Sequence, residues 1–179
     1  MAKQQSKPQP KAAPKPKADE RLVDKYFREL PQAYPTAVDR GVLLISALLI
    51  LLGFTGLFWA LPFPYLSFLG KNNGFINWAS FLMALAGYFY YRLSPVLCYL
   101  VIFILFVFAY LITRLLVWQN AGGPSLMVIS DLEIVLGAIG FYGVSLRNRR
   151  TTQWEALNLL FISVAWYLGK LLKKIGARY

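Results

Sequence analysis

Histidine is missing altogether from the 179 residues. Neutral imidazole is the commonest metal ligand and the usual proton carrier near neutral pH, so Ser-His hydrolysis and histidine-ligated zinc or iron are excluded. Cysteine occurs once, as Cys98 inside an apolar run, which leaves no intrachain disulfide and no paired-cysteine metal site. No glycine-rich phosphate loop runs into a lysine, and no nucleophile elbow is present. Charge is scarce at 15% of residues, against about 25% in ordinary soluble domains. Negative charge is scarcer still, with 8 Asp and Glu beside 19 Lys and Arg.

What remains is apolar: 58% of the chain is hydrophobic and 16% aromatic, more than a soluble domain of this size can hide. The expected fold is all-α, a polytopic membrane helix bundle. A crossing helix needs about 20 apolar residues at about 1.5 Å rise each. Four spans are expected, at about 41–63, 75–91, 95–113 and 126–146. No charge interrupts residues 41–70, and this run is too long and too late for a cleaved signal peptide. It ends at Pro62 and Pro64, with Trp59 and Tyr65 placed for an interface. Pro95 disfavours helix at Ser94, so "RLSP" (92–95) is a very short turn and the second and third spans form a helical hairpin. "QNAGGPS" (119–125) is a loop.

The last apolar run, about 155–172, is only marginally long enough to cross, and Lys170 interrupts it. Charge arbitrates. With four spans and a cytoplasmic N-terminus, seventeen of the 19 Lys and Arg lie inside, leaving only Lys71 and Arg114 outside. A fifth crossing would carry four cations out, so this run is expected to be an interfacial or re-entrant helix. Residues 1–24, rich in Lys and Pro, are expected to form a disordered cytoplasmic tail, and 25–40 a juxtamembrane segment ahead of the membrane domain at 41–179. The tail's lysines suit a solvated tether or anionic lipid, and without interleaved aromatics they do not point to nucleic acid. No internal repeat, heptad run or inverted pair of interrupted spans is legible, which gives a transporter architecture little support.

Asp131 and Glu133 are the only carboxylates within an expected span. Two residues apart on a helix they point about 200° apart and do not converge on one ligand. Arg114 is the nearest cation if the third and fourth spans pack together. These three are the candidate intramembrane polar residues, suited to a structural ion pair or to a lipid-headgroup or proton-linked role. Otherwise the span starts later and Asp131 is a wetted cap. Arg147, Arg149, Arg150, Lys173 and Lys174 are the expected topology anchors and contacts for anionic lipid. Gly137, Gly140 and Gly143 make a smooth ridge for close helix approach. Asn72, Asn73 and Asn77 beside Trp78 suit either headgroup contact or a wet helix start.

From Gly143 to the C-terminus the chain resembles the small multi-pass membrane proteins related to the 2-hydroxy fatty acid dioxygenase of phytosphingosine α-oxidation. That family's pattern places a Gly-His pair at the end of a span, then Glu three residues on and Pro four beyond, then "LQxLLxGPxWLL", a basic pair and "GxRY". Here Gly143 stands at the glycine, and Leu157, Asn158 and Leu160 at the Leu-Gln-Leu positions. Trp166 and Leu168 match the Trp-Leu positions, Lys173 and Lys174 the basic pair, and Gly176, Arg178 and Tyr179 the ending. Trp78 and "YYRLSP" (90–95) are similar to the family's middle hairpin, while Pro35 and Arg40 match its N-terminal segment only faintly. The resemblance implies the fold, the membrane topology and an Fe(II) site. The departures fall on that site: Val144 stands at the histidine, Arg147 at the glutamate and Thr151 at the proline.

The preferred expectation is therefore a non-catalytic integral membrane protein on this scaffold, without cofactor or metal. It is expected to bind lipid, a membrane-protein partner or a second copy. The alternative is an Fe(II)-dependent 2-hydroxy fatty acid dioxygenase with rebuilt ligands, drawn from carboxylates scattered over tail, loops and opposite helix faces. A small transporter or channel subunit would need a lined polar pathway, which two carboxylates and an arginine hardly supply. The bacterial-style ending points to a bacterial inner membrane with both termini cytoplasmic.

Overall fold

The structure, a computed structural model, describes residues 21–65, 67, 70, 76–148 and 152–176, and the statements below concern those residues. Regular structure there comprises six α-helices and no strand. The first, α1 (Leu22–Ala33), begins inside what the sequence assigns to the tail. Val23 and Leu30 are buried, with Tyr26 and Phe27 packed beside them. That i, i+3, i+4, i+7 spacing gathers the apolar side chains into one stripe. Arg21 and Asp24 pair at 2.8 Å across the first turn, and the dense charge of this segment is what disguised a helix as tail. Residues 1–20 lie outside the described residues.

Side-chain caps set the other helix starts. Thr36 accepts the N–H of Asp39 and opens α2 (Ala37–Ala60), which stops short of Pro62. Asn77 and Ser80 form a reciprocal capping box at the head of α3 (Trp78–Leu93), so Asn77 is a helix cap. Asn72 and Asn73 fall outside the described residues. Ser94 is extended, and Pro95 sits in the first turn of α4 (Pro95–Asn120), so the expected short turn at 92–95 narrows to the single residue Ser94. Ser125 caps α5 (Leu126–Arg147), and Gln119 at the end of α4 accepts the N–H of Leu126, fixing the two helix ends at one level. Thr152 and Glu155 box the start of α6 (Gln153–Lys174).

Helices α2, α4, α5 and α6 are each long and apolar enough to cross a membrane, and the chain is a multi-pass integral membrane protein. This set differs from the expected one. It includes α6, and it omits α3, whose 16 residues reach only about 24 Å because the capping box starts it late.

The neighbours of α6 reveal its course. Its first turns share a cleft with Phe141, Tyr142 and Ser145 near the end of α5. Farther on, the Phe161 carbonyl accepts a hydrogen bond from Tyr90 at 2.8 Å, near the end of α3. Trp166 lies under Arg40, and the Tyr167 hydroxyl sits close to Gly41, at the start of α2. Running beside α2 and α5, the stretch from residue 156 to 167 would rise about 16 Å along them. Instead it meets the same few turns at both ends of that stretch. Helix α6 therefore crosses the end of the bundle where α2 begins and α3 and α5 finish, and α1 packs against its outer side. This is the basic end of the molecule.

The seam between α2 and α5 corrects the expectation of no repeat. "SALLILLGFTG" (46–56) and "SDLEIVLGAIG" (130–140) share Ser, Leu, Ile, Leu, Gly and Gly at identical spacing. The two segments pack antiparallel and reciprocally. A Cβ at Gly53 would lie 2.7 Å from the Ser130 carbonyl oxygen, and one at Gly137 would lie 2.9 Å from that of Ser46. Gly56 faces the Ser130 side chain as Gly140 faces that of Ser46. The missing side chains let two backbones touch, the usual basis of close helix packing in lipid. Gly143, the third member of the expected ridge, has open space before it.

Candidate functional site

At the basic end, one buried carboxylate joins two helices. Asp39 is 1% exposed and lies in the first turn of α2, where the free N–H groups favour negative charge. Its Oδ1 accepts from Arg147 Nη1 at 3.0 Å, and its Oδ2 from Asn148 Nδ2 at 3.2 Å. Asn148 also donates to the Val144 carbonyl at 3.0 Å, so the end of α5 is bound at once to itself and to α2. Arg147 is the last residue of α5, where a cation complements the helix end.

The neighbouring Arg40 turns the other way. Its Nη1 donates to the carbonyls of Tyr34 at 2.7 Å and Pro35 at 2.8 Å, holding the link between α1 and α2. Its guanidinium also lies 5.4 Å from the centroid of the buried Trp166 ring, and Lys170 Nζ lies 3.9 Å from the same centroid. Two cations on one indole secure α6 across the bundle end. This cluster is a joint. It offers hydrogen bonds and charge, with no activated nucleophile.

A second feature lies between α3 and α4. Met83, Ala84 and Gly87 form one wall of an apolar groove of about 440 Å³, and Cys98, Ile102, Leu105 and Phe106 form the other. From Met83 to Tyr91, and equally from Cys98 to Phe106, the walls run for about 12 Å. Gly87 leaves its part of the groove clear: a Cβ there would meet nothing within 4 Å. Cys98 is buried and packs as a small hydrophobe, its thiol 3.3 Å from the Gly87 carbonyl. At the basic end the groove opens beside Tyr88 and Tyr91, and Arg92 donates to the Tyr88 hydroxyl at 3.3 Å. The arrangement offers a hydrocarbon slot with a cation and phenols at its mouth.

The residues singled out in the sequence divide. Arg147 engages Asp39, while Lys173 and Lys174 lie exposed in the last turn of α6. Arg149 and Arg150 lie outside the described residues. Arg114 and Asp131 are exposed and Glu133 is half-buried, and among the described residues no ion pair joins them. Asp39 lies outside that set, although Thr36-x-x-Asp39 is a legible helix-start signal. The Fe(II) implied by the resemblance does not fit the residues present. Val144 is apolar and buried, Arg147 is committed to Asp39, and among the described residues no three of Cys, Asp and Glu converge. Compared with known proteins, the chain matches no family model, no curated protein and no solved structure.

Proposed function

We propose that this is a non-catalytic integral membrane protein that binds membrane lipid, on a scaffold like that of the 2-hydroxy fatty acid dioxygenase family. The observation that carries the reading is the α3–α4 groove: an apolar slot about 12 Å long, floored by Gly87, with Arg92 and Tyr88 at its mouth. An acyl chain fills such a slot, and a phosphate beside Arg92 completes the match. The distribution of Lys and Arg supports a cytoplasmic basic end and both termini on that side, as in a bacterial inner membrane.

The test uses native mass spectrometry of detergent-extracted protein with phosphatidylglycerol or phosphatidylcholine added. The wild type retains lipid and prefers phosphatidylglycerol. A Cβ at Gly87 meets nothing within 4 Å, so Gly87→Leu places its side chain in the groove, and it is expected to abolish retention of both lipids while the protein stays folded. Arg92→Gln keeps the chain but loses the headgroup preference. Full retention by Gly87→Leu overturns the groove, and stoichiometric iron with oxygen-dependent shortening of 2-hydroxypalmitate overturns the non-catalytic reading.

A further inference from the structure

Among the described residues, three charges at the far end of the bundle, Arg114, Asp131 and Glu133, have no ion-pair partner. Arg114 lies six residues before the end of α4, and Asp131 five residues after the start of α5. At helical rise these are depths of about 9 Å and about 7.5 Å from two ends that the Gln119 to Leu126 hydrogen bond holds level. Both side chains are exposed, and both sit within apolar surface. Around Arg114, Leu111, Val117 and Trp118 are exposed, and around Asp131 so are Val128 and Val135. Arginine can bend its long stem towards the membrane surface, but aspartate is too short to do so. An unpaired carboxylate facing lipid at that depth is costly, and such groups pair.

We infer that a second copy of this chain supplies the pairing, with Arg114 of each copy meeting Asp131 of the other across a two-fold axis along the membrane normal. Such an axis relates only points at equal depth, and the two charges meet that condition to within about 2 Å. Two ion pairs form per dimer, framed by the exposed apolar side chains. Among the described residues of one chain neither charge has an ion-pair partner, and the dimer supplies one to each. The inference rests on the membrane-embedded bundle and is independent of the groove between α3 and α4.

The experiment co-expresses two differently tagged full-length copies, extracts them in mild detergent and measures capture of one tag through the other. Wild type captures wild type. Arg114→Glu alone sets acid against acid, and Asp131→Arg alone sets base against base, so each loses capture of itself by about tenfold or more. Mixing the two single variants restores capture, because both cross-pairs are then opposite in sign. That rescue also shows that each variant folds. If instead each variant captures itself as the wild type does, or the mixture fails while the wild type succeeds, the inference is overturned. It also falls if the wild type is monomeric, or is extracted one-to-one with a different protein. For variants too unstable to extract, Val117→Cys in one copy and Val128→Cys in the other give a second readout: they crosslink in membranes if the faces meet, and absence of the crosslink rejects the dimer.

Discussion

Arg147 Nη1 lies 3.0 Å from Asp39 Oδ1, so the last residue of α5 is fastened to the first turn of α2 by an ion pair that is two-thirds exposed on the arginine side and buried on the aspartate side. Water reaches one partner and not the other, which makes the pair more consequential than a surface bridge and less so than a fully buried one. Arg147→Ala is expected to cost about 1–2 kcal/mol, because the buried carboxylate loses a charged side-chain donor to one of its oxygens. In a double-mutant cycle with Asp39→Asn, the losses should fall short of additive by about 0.5 kcal/mol or more. Thermal unfolding in detergent reads the cycle, and additive losses would show that the two are not energetic partners.

The α2–α5 seam predicts opposite outcomes for chemically identical changes. Gly53→Ala and Gly137→Ala each drive a methyl group against a backbone carbonyl that cannot turn aside, and each is expected to cost about 2 kcal/mol or more. Gly143→Ala faces open space, so it should be neutral or stabilise by up to about 1 kcal/mol through helix propensity. Equal effects at all three positions, again by thermal unfolding, would refute the packing.

Tyr90→Phe removes only the hydroxyl that bonds the Phe161 carbonyl. The expected loss is about 1 kcal/mol, felt chiefly by α6. Faster tryptic cleavage at Lys170 and Lys173, with little change in the unfolding of the rest, is the signature to look for.

Because α6 crosses the basic end, a reporter fused after Tyr179 should register on the same side of the membrane as one fused at Met1. Opposite sides would mean that α6 traverses the bilayer, which its length permits.

Much of this architecture is legible in the sequence. The apolar runs locate α2, α4 and α5, and Pro95 locates the turn after α3, because helix length and proline chemistry act locally. Helix α3 starts later than the apolar run from about 75 suggests, since hydropathy does not register the Asn77–Ser80 cap. The Asp39 joint escaped for a different reason. A single carboxylate next to a basic segment looks solvated until the end of α5, more than 100 residues later, is folded against it. The repeat was hidden by its own background, because Leu and Ile recur throughout a membrane helix and only the Ser and Gly positions carry information. The groove depends on the void left by Gly87, and a void has no sequence signal beyond one small residue.

A surface that fits its own likeness turned end over end needs only one invention to make both halves of a contact. The segments at 46–56 and 130–140 stand in that relation, so either should be able to replace the other in a chimera without loosening the pair. A short peptide carrying just one of them should associate head-to-tail with itself in a bilayer.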